Sequence, residues 1–352
     1  MKKILSIDGG GIRGLIPAMV LTEIERRTNQ PISKSFDLIA GTSTGGILAL
    51  GLSKGDESGQ PEFSAETLSE IYKKHGKTIF PQGTWTSAAR HIWIGFGVSE
   101  KIYSHDGLEG LLGNRFGTAT LGDALSKVLI STYDIVDGEP VFFKSWDNDH
   151  KIVKMCDAAR ATSAAPTYFE PHRVTVTYDQ QKYYEAHKHR YEKEKYKKAI
   201  VEETIDGKVV IHKTHTLVDG GVFINSPAVS AYAEAKRLFP EEQDFLVVSL
   251  GTGQINPETT YHEASAWGMA SWVRPLIKFM FDGVSDAADY QLQYLLGDKP
   301  GRYYRIQTDI DEKSGAMDLA DDANIIRLID TATGLIREQD ANLDELCKVL
   351  CS

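Results

Sequence analysis

Two copies of one pattern in the first fifty residues constrain this chain more than any other feature: an apolar strand, a glycine-rich turn, an apolar helix. Ile4–Ile7 runs into Asp8-Gly9-Gly10-Gly11, after which Leu15, Ile16, Met19, Val20 and Ile24 share one helical face. Pro17 stands in the first turn of that helix, where a missing N–H is tolerated. Phe36–Ala40 then runs into Gly41-Thr42-Ser43-Thr44-Gly45-Gly46 and an apolar helix over Ile47–Ser53. Two such units in succession predict a parallel sheet with crossover helices.

Later strands are expected at Lys127–Tyr133, Pro140–Lys144, Thr216–Val218, Phe245–Leu250 and Arg302–Gln307. Helices are expected at Ala65–Gly76, Met155–Ala161, Pro227–Leu238 and Asn324–Gln339. No internal repeat is evident. Only residues 182–198 depart in composition, with seven Lys/Arg, three Glu and four Tyr, and they read as an insertion. Although 352 residues could make two domains, the reading is one domain over 1–352. Its core would span 1–255, with a basic insertion near 178–215 and a helical C-terminal part over 256–352.

Charge and apolar patterning exclude several function classes. A net charge of −10 argues against a binder of nucleic acid polymers, which needs a basic face. The longest uncharged stretch, Leu38 to Ser53, is 16 residues with four glycines, short of the roughly 20 apolar residues of a membrane span. The opening apolar run ends at Asp8, short of the roughly 7 to 15 residues of a secretory segment. Three cysteines, Cys156, Cys347 and Cys351, make no closed disulfide framework and fit a reducing compartment. The expected location is the cytoplasm.

Gly41-Thr42-Ser43-Thr44-Gly45 matches G-x-S-x-G, the turn that lifts a serine hydroxyl above a sheet edge. Chance alone gives about 0.1 such matches in a chain of this length. Gly9-x-Gly11-x-x-Gly14 matches a dinucleotide fingerprint, but that site wants an acidic residue at the far end of the second strand. Asp37 lies at the start of that strand. The loop therefore reads as a nest of N–H groups from Gly9, Gly10 and Gly11 at a helix start, an oxyanion hole beside Ser43. Arg13 would then hold a substrate phosphate or carboxylate.

A serine nucleophile needs a base, and two are available. His262 follows the strand Phe245–Leu250, in a polar loop where a histidine is ordinarily a surface residue. Asp219, in Asp219-Gly220-Gly221, would meet Ser43 at one sheet edge if it ends a parallel strand. A carboxylate titrating near 3.9 is a weak base for an alcohol. A Ser–Asp dyad would therefore depend on short geometry, exclusion of water and the oxyanion hole.

DGGGIRG (Asp8–Gly14), GTSTGG (Gly41–Gly46), ARATSAAPTYF (Ala159–Phe169), VDGG (Val218–Gly221) and SLGTG (Ser249–Gly253) follow one another across the first 253 residues. In that order they resemble the patatin-like phospholipase family. The resemblance implies a three-layer α/β/α patatin-like fold with a largely parallel central sheet. It implies a lipid acyl hydrolase with Ser43 as nucleophile, Asp219 as base, no metal and no cofactor. The loop Gly9–Gly14 would supply the oxyanion hole, and Arg13 would sit near the phosphate of a membrane phospholipid. Where the family often has Asn-Asn-Pro, this chain has Asn225-Ser226-Pro227, a change expected to touch only a helix cap.

The chain also resembles bacterial patatin-like effectors of anti-phage systems, in which a cyclic nucleotide switches on phospholipase activity. This adds a cyclic dinucleotide as a candidate activator, and the basic, tyrosine-rich segment 182–198 suits either that ligand or an anionic membrane. Two aromatic stretches, Trp85 to Phe96 and Trp267 to Met280, suit a core, a homo-oligomer interface or a lipid-facing surface. Action at the inner membrane surface is the corresponding expectation. The rival readings are a Ser–Asp–His esterase using His262 and a non-catalytic nucleotide-binding scaffold.

Overall fold

Alternation along the central strands decides the architecture. Leu5, Ile7, Ile39, Val128, Ile130, Leu246 and Val248 point into one apolar cluster. Their neighbours Ile4, Leu38, Ala40, Leu129, Phe245 and Val247 point into a second. A strand buried on both faces carries no polar side, so helices must cover the sheet above and below. The computed structural model describes residues 1–79, 106–166, 168–187, 200–205, 207–255, 259–297 and 299–352.

In chain order the described strands are β1 (Lys2–Ile7), β2 (Leu38–Thr42), β3 (Lys127–Asp134), β4 (Glu139–Lys144), β5 (His172–Asp179), β6 (Ile200–Ile205), β7 (Lys208–Asp219), β8 (Phe245–Leu250) and β9 (Tyr303–Ile306). The helices are α1 (Leu15–Thr28), α2 (Ile32–Ser35), α3 (Thr44–Ser53), α4 (Ala65–Ile79), α5 (Asp106–Phe116), α6 (Met155–Thr162), α7 (Gln180–Ala186), α8 (Ala228–Leu238), α9 (Tyr261–Ser265), α10 (Met269–Leu296), α11 (Asp322–Glu338) and α12 (Asp340–Cys351). The first cluster takes residues from α1, α3, α4, α5, α6, α11 and α12. The second takes Ala228, Ala231 and Ala235 of α8 and Leu292 and Leu296 of α10. The chain thus has the three-layer α/β/α arrangement.

Five strands, β9, β8, β1, β2 and β3, run parallel through successive pairings. The remaining pairings, β3 with β4 and β7 with β3, β5 and β6, are antiparallel. This corrects the expectation that Asp219 ends a parallel strand. Ser131 of β3 pairs with both β2 and β4, and Thr132 pairs with both β4 and β7. A strand has two edges, so β2 and β7 share the edge that β4 does not occupy. Thr42 pairs with Ser131 and Asp219 with Thr132, so the two strands meet end to end along β3. Asp219 therefore reaches the C-terminal edge of the parallel strands from the opposite direction.

β7 begins at Lys208, eight residues before the strand expected from the sequence, so residues 208–215 belong to the sheet. Its apolar alternation is interrupted because inward positions hold Lys213 and His215. Lys213 Nζ lies 2.8 Å from Asp137, and His215 Nδ1 lies 2.8 Å from Asp134. Buried polar groups are tolerable here because each has a partner. Among the described residues no helix is long and apolar enough to cross a membrane.

Truncating a side chain at the junction of sheet and helices tests this layering. Leu5→Ala should cost about 2–5 kcal/mol, read as a lower urea midpoint with little change in slope. Ile152→Ala, at an exposed position, should stay within about 0.5 kcal/mol of wild type.

Candidate active site

The turn after β2 is strained by design of its sequence. Ser43 has φ 55° and ψ −125°, a left-handed backbone that a side-chain-bearing residue adopts at a cost of roughly 1–3 kcal/mol. The flanking glycines make the turn sterically possible. A Cβ on Gly41 would lie 2.2 Å from the carbonyl oxygen of Gly45, and one on Gly45 would lie 2.1 Å from that of Ile7. Thr162 at the end of α6 holds the turn in place. Its Oγ1 accepts from the Ser43 N–H at 2.9 Å and donates to the Ser131 carbonyl at 2.7 Å. Sequence reasoning placed Thr162 within a motif without a role, because a tertiary hydrogen bond leaves no periodic signal.

The Ser43 side chain lies near the Asp219 carboxylate and favours its ionised form. Asp219 is 1% exposed, its Oδ1 accepts from the Gly221 N–H at 2.7 Å, and its own N–H donates to the Ala164 carbonyl at 3.0 Å. Phe281 of α10 packs against Gly221, its ring edge 2.2 Å from where a Cβ would stand there. Burial pushes the Asp219 carboxyl up to about 7, outweighing Ser43 and the Gly221 hydrogen bond, which favour the anion. A carboxyl at this value is no longer the weak base expected from its ordinary range. Among the described residues no histidine bonds to Ser43 or Asp219, and His262 sits exposed on α9.

The glycine loop lies against the same serine. The Gly9 N–H is already taken by the Asn225 carbonyl at 3.1 Å, which removes it from the expected set of oxyanion donors. The other two peptides are oriented from behind. Thr252 Oγ1 donates to the Gly9 carbonyl at 2.7 Å. Arg13 Nε donates to the Gly10 carbonyl at 3.3 Å. In a trans peptide the N–H points opposite to its carbonyl, so these two bonds fix where the Gly10 and Gly11 N–H groups point. Neither of those N–H groups has a protein acceptor among the described residues.

Arg13 departs from its expected place. It is 5% exposed and also donates to the Gly253 carbonyl at 3.2 Å, so it braces the loop from within rather than facing a substrate phosphate. Burial lowers its pKa, partly offset by Asp282 of α10. Ser226 departs too. The start of α8 has no side-chain cap, so Ser226 does not fill that role, and the nearby Asp8 carboxylate is held by Arg305 at 2.8 Å. Asp37 bonds to Lys2 Nζ and the Lys3 N–H, a structural use that agrees with setting aside a dinucleotide site.

Asp134, Asp137 and His215 place three potential metal-ligand atoms within 4.8 Å of one another. The His215 ring and the Lys213 ammonium already occupy those carboxylates. Trp272, Phe279 and Met280 of α10 are exposed, whereas Trp85 to Phe96 and residues 188–198 lie outside the described residues.

A family model described as patatin-like phospholipase matches residues 5–232. Patatin-like protein 3 of Arabidopsis thaliana is 30% identical, the alignment covering 96% of this chain and 81% of that protein. Patatin-like protein 2 of the same plant is 30% identical over 98% of this chain and 85% of its own length. The crystal structure of VipD from Legionella pneumophila aligns with 95% of this chain and 67% of that one at 12% identity, with a TM-score of 0.33.

If Asp219 acts in its ionised form, turnover of a soluble ester should rise about tenfold per pH unit below about 7 and level off above it. The same group loads the fold. Its folded pKa lies above the unfolded value, so its contribution to stability falls as pH rises from about 4 to about 7. Asp219→Asn should therefore abolish turnover yet raise Tm relative to wild type at pH 8, with the difference shrinking toward pH 5.

Proposed function

Since the chain belongs to the patatin-like phospholipase family, whose activity is lipid acyl hydrolysis, we propose that Ser43 and Asp219 cleave phospholipid acyl esters at a membrane surface. The observation that carries this reading is a serine on a strained turn near a buried carboxyl raised to about 7. Asp219 takes the Ser43 proton as Oγ attacks the ester carbonyl. The Gly10 and Gly11 N–H groups receive the developing oxyanion, and Asp219 returns the proton to the leaving alcohol. Water then repeats the sequence on the acyl-enzyme, with Asp219 again as base. Every step runs on side chains and backbone of this chain, with no metal or cofactor assigned a part.

Trp272, Phe279 and Met280 support a membrane-facing role for α10, because aromatic and thioether side chains suit the bilayer interface. Packing of a second copy on this face is the competing use, and light scattering separates the two. The finer reading is that a cyclic dinucleotide switches the hydrolase on in anti-phage defence. Its support is the basic, tyrosine-rich composition of 182–198 and a dyad buried beneath α10, with Ser43 only 9% exposed. A lipid ester reaches such a dyad only when the cover moves, which is where an activator would act.

Fatty-acid release from mixed phospholipid vesicles tests both levels. Ser43→Ala and Asp219→Ala should lose on the order of 10³-fold or more, while His262→Ala keeps wild-type activity. Retained activity in Ser43→Ala would overturn the dyad. Activity that appears only with a cyclic dinucleotide supports the gated reading, and activity without one rules it out.

A further inference from the structure

The NSP segment that follows the Asp219 turn contains a polar group the hydrolytic sequence above does not use. Asn225 is 7% exposed, and its Oδ1 is buried without a hydrogen-bond partner among the described residues. Buried acceptors in folded proteins are almost always satisfied by protein, ordered water or ligand. Two bonds fix where this one points. The Asn225 backbone carbonyl accepts the Gly9 N–H at 3.1 Å, which registers the residue against the glycine loop. Its Nδ2 donates to Ser285 Oγ on α10 at 3.2 Å, which sets the plane of the amide. Oδ1 is then left beside Gly9. A Cβ built on Gly9 would stand 2.6 Å from Oδ1 and 3.2 Å from Ser43 Cβ, so the acceptor and the serine flank the same side of that residue.

From this geometry we propose that Asn225 Oδ1 binds and orients the water that hydrolyses the acyl-enzyme, an inference that rests on the Ser43–Asp219 reading. In that step the water donates one O–H to Asp219 and the other to Asn225 Oδ1, which aims an oxygen lone pair at the acyl carbonyl. The C–O bond to water forms as the proton passes to Asp219. The bond to Ser43 Oγ then breaks, and Asp219 returns the proton to Oγ. Acylation needs no such acceptor, because the attacking oxygen is already covalently fixed on Ser43. The amide therefore acts on one half of the cycle only.

The two half-reactions separate in single-turnover kinetics with a p-nitrophenyl ester. Release of p-nitrophenolate reports acylation, and decay of the Ser43 adduct by intact mass reports deacylation. Asn225→Leu, close in volume but without an acceptor, should slow deacylation on the order of 10- to 100-fold while acylation stays within about threefold of wild type. The adduct should then accumulate. Ser285→Ala frees the amide without removing it and should shift the same partition in the same direction by less, which also covers a failure of Asn225→Leu to fold. Equal slowing of both half-reactions would indicate an N–H donor to the oxyanion, or a purely structural role, and overturns the proposal. Unchanged deacylation in both variants overturns it as well, with the dyad left standing. Absence of any adduct on Ser43 in wild type overturns the dyad reading and this proposal together.

Discussion

The proposed hydrolysis depends on holding one carboxylate, Asp219, buried without an opposing charge among the described residues. Most buried acids are matched to a cation, as Asp8 is to Arg305 and Asp137 to Lys213. Among the described residues Asp219 has the Gly221 N–H and the nearby Ser43 to favour its anion, with the Phe281 ring packed close by. Two neutral donors cannot repay the lost hydration of an anion, so its proton affinity rises toward neutral pH. The same deficit that weakens the fold suits the carboxyl to its proposed role as base. A lysine or arginine in the place of Phe281 would relieve the strain on the fold and remove the basicity.

The oxyanion loop shows a related division of labour. Its N–H groups are useful only if they point one way, and glycine alone imposes no direction. Orientation comes from behind: Thr252 and Arg13 each fix a carbonyl, and the planarity of the peptide transmits that choice to the next N–H. A buried arginine can shape the loop in this way without reaching a substrate. Its guanidinium bridges the Gly10 and Gly253 carbonyls and so ties the loop after β1 to the turn after β8. Preorganisation of this kind avoids reordering donors as charge develops.

The sheet brings these parts together through an unusual junction. β2 climbs to Ser43 while β7 descends to Asp219, and both end on the same edge of β3. The antiparallel limb of β5, β6 and β7 is therefore what brings Asp219 to Ser43. Its buried polar ladder of Lys213, His215 and Tyr178 holds that limb in register, with Tyr178 Oη 2.8 Å from His215 Nε2.

Local sequence determined what local physics can encode. The parallel core was legible because strands buried on both faces are continuous apolar runs, and the Ser43 turn because Gly41 answers a backbone clash with Gly45 within five residues. The pairing of Ser43 with Asp219 was legible as two turns of the right type, though not the direction from which β7 arrives. That direction was hidden because Lys213 and His215 interrupt the alternation that marks a strand, their burial being paid by partners on another element. Tertiary structure alone decided that the Gly9 N–H is occupied, that Arg13 is a brace, and that Asn225 holds an acceptor beside Gly9. Each of these depends on a hydrogen bond between residues far apart in sequence, and such bonds have no spacing from which to read them.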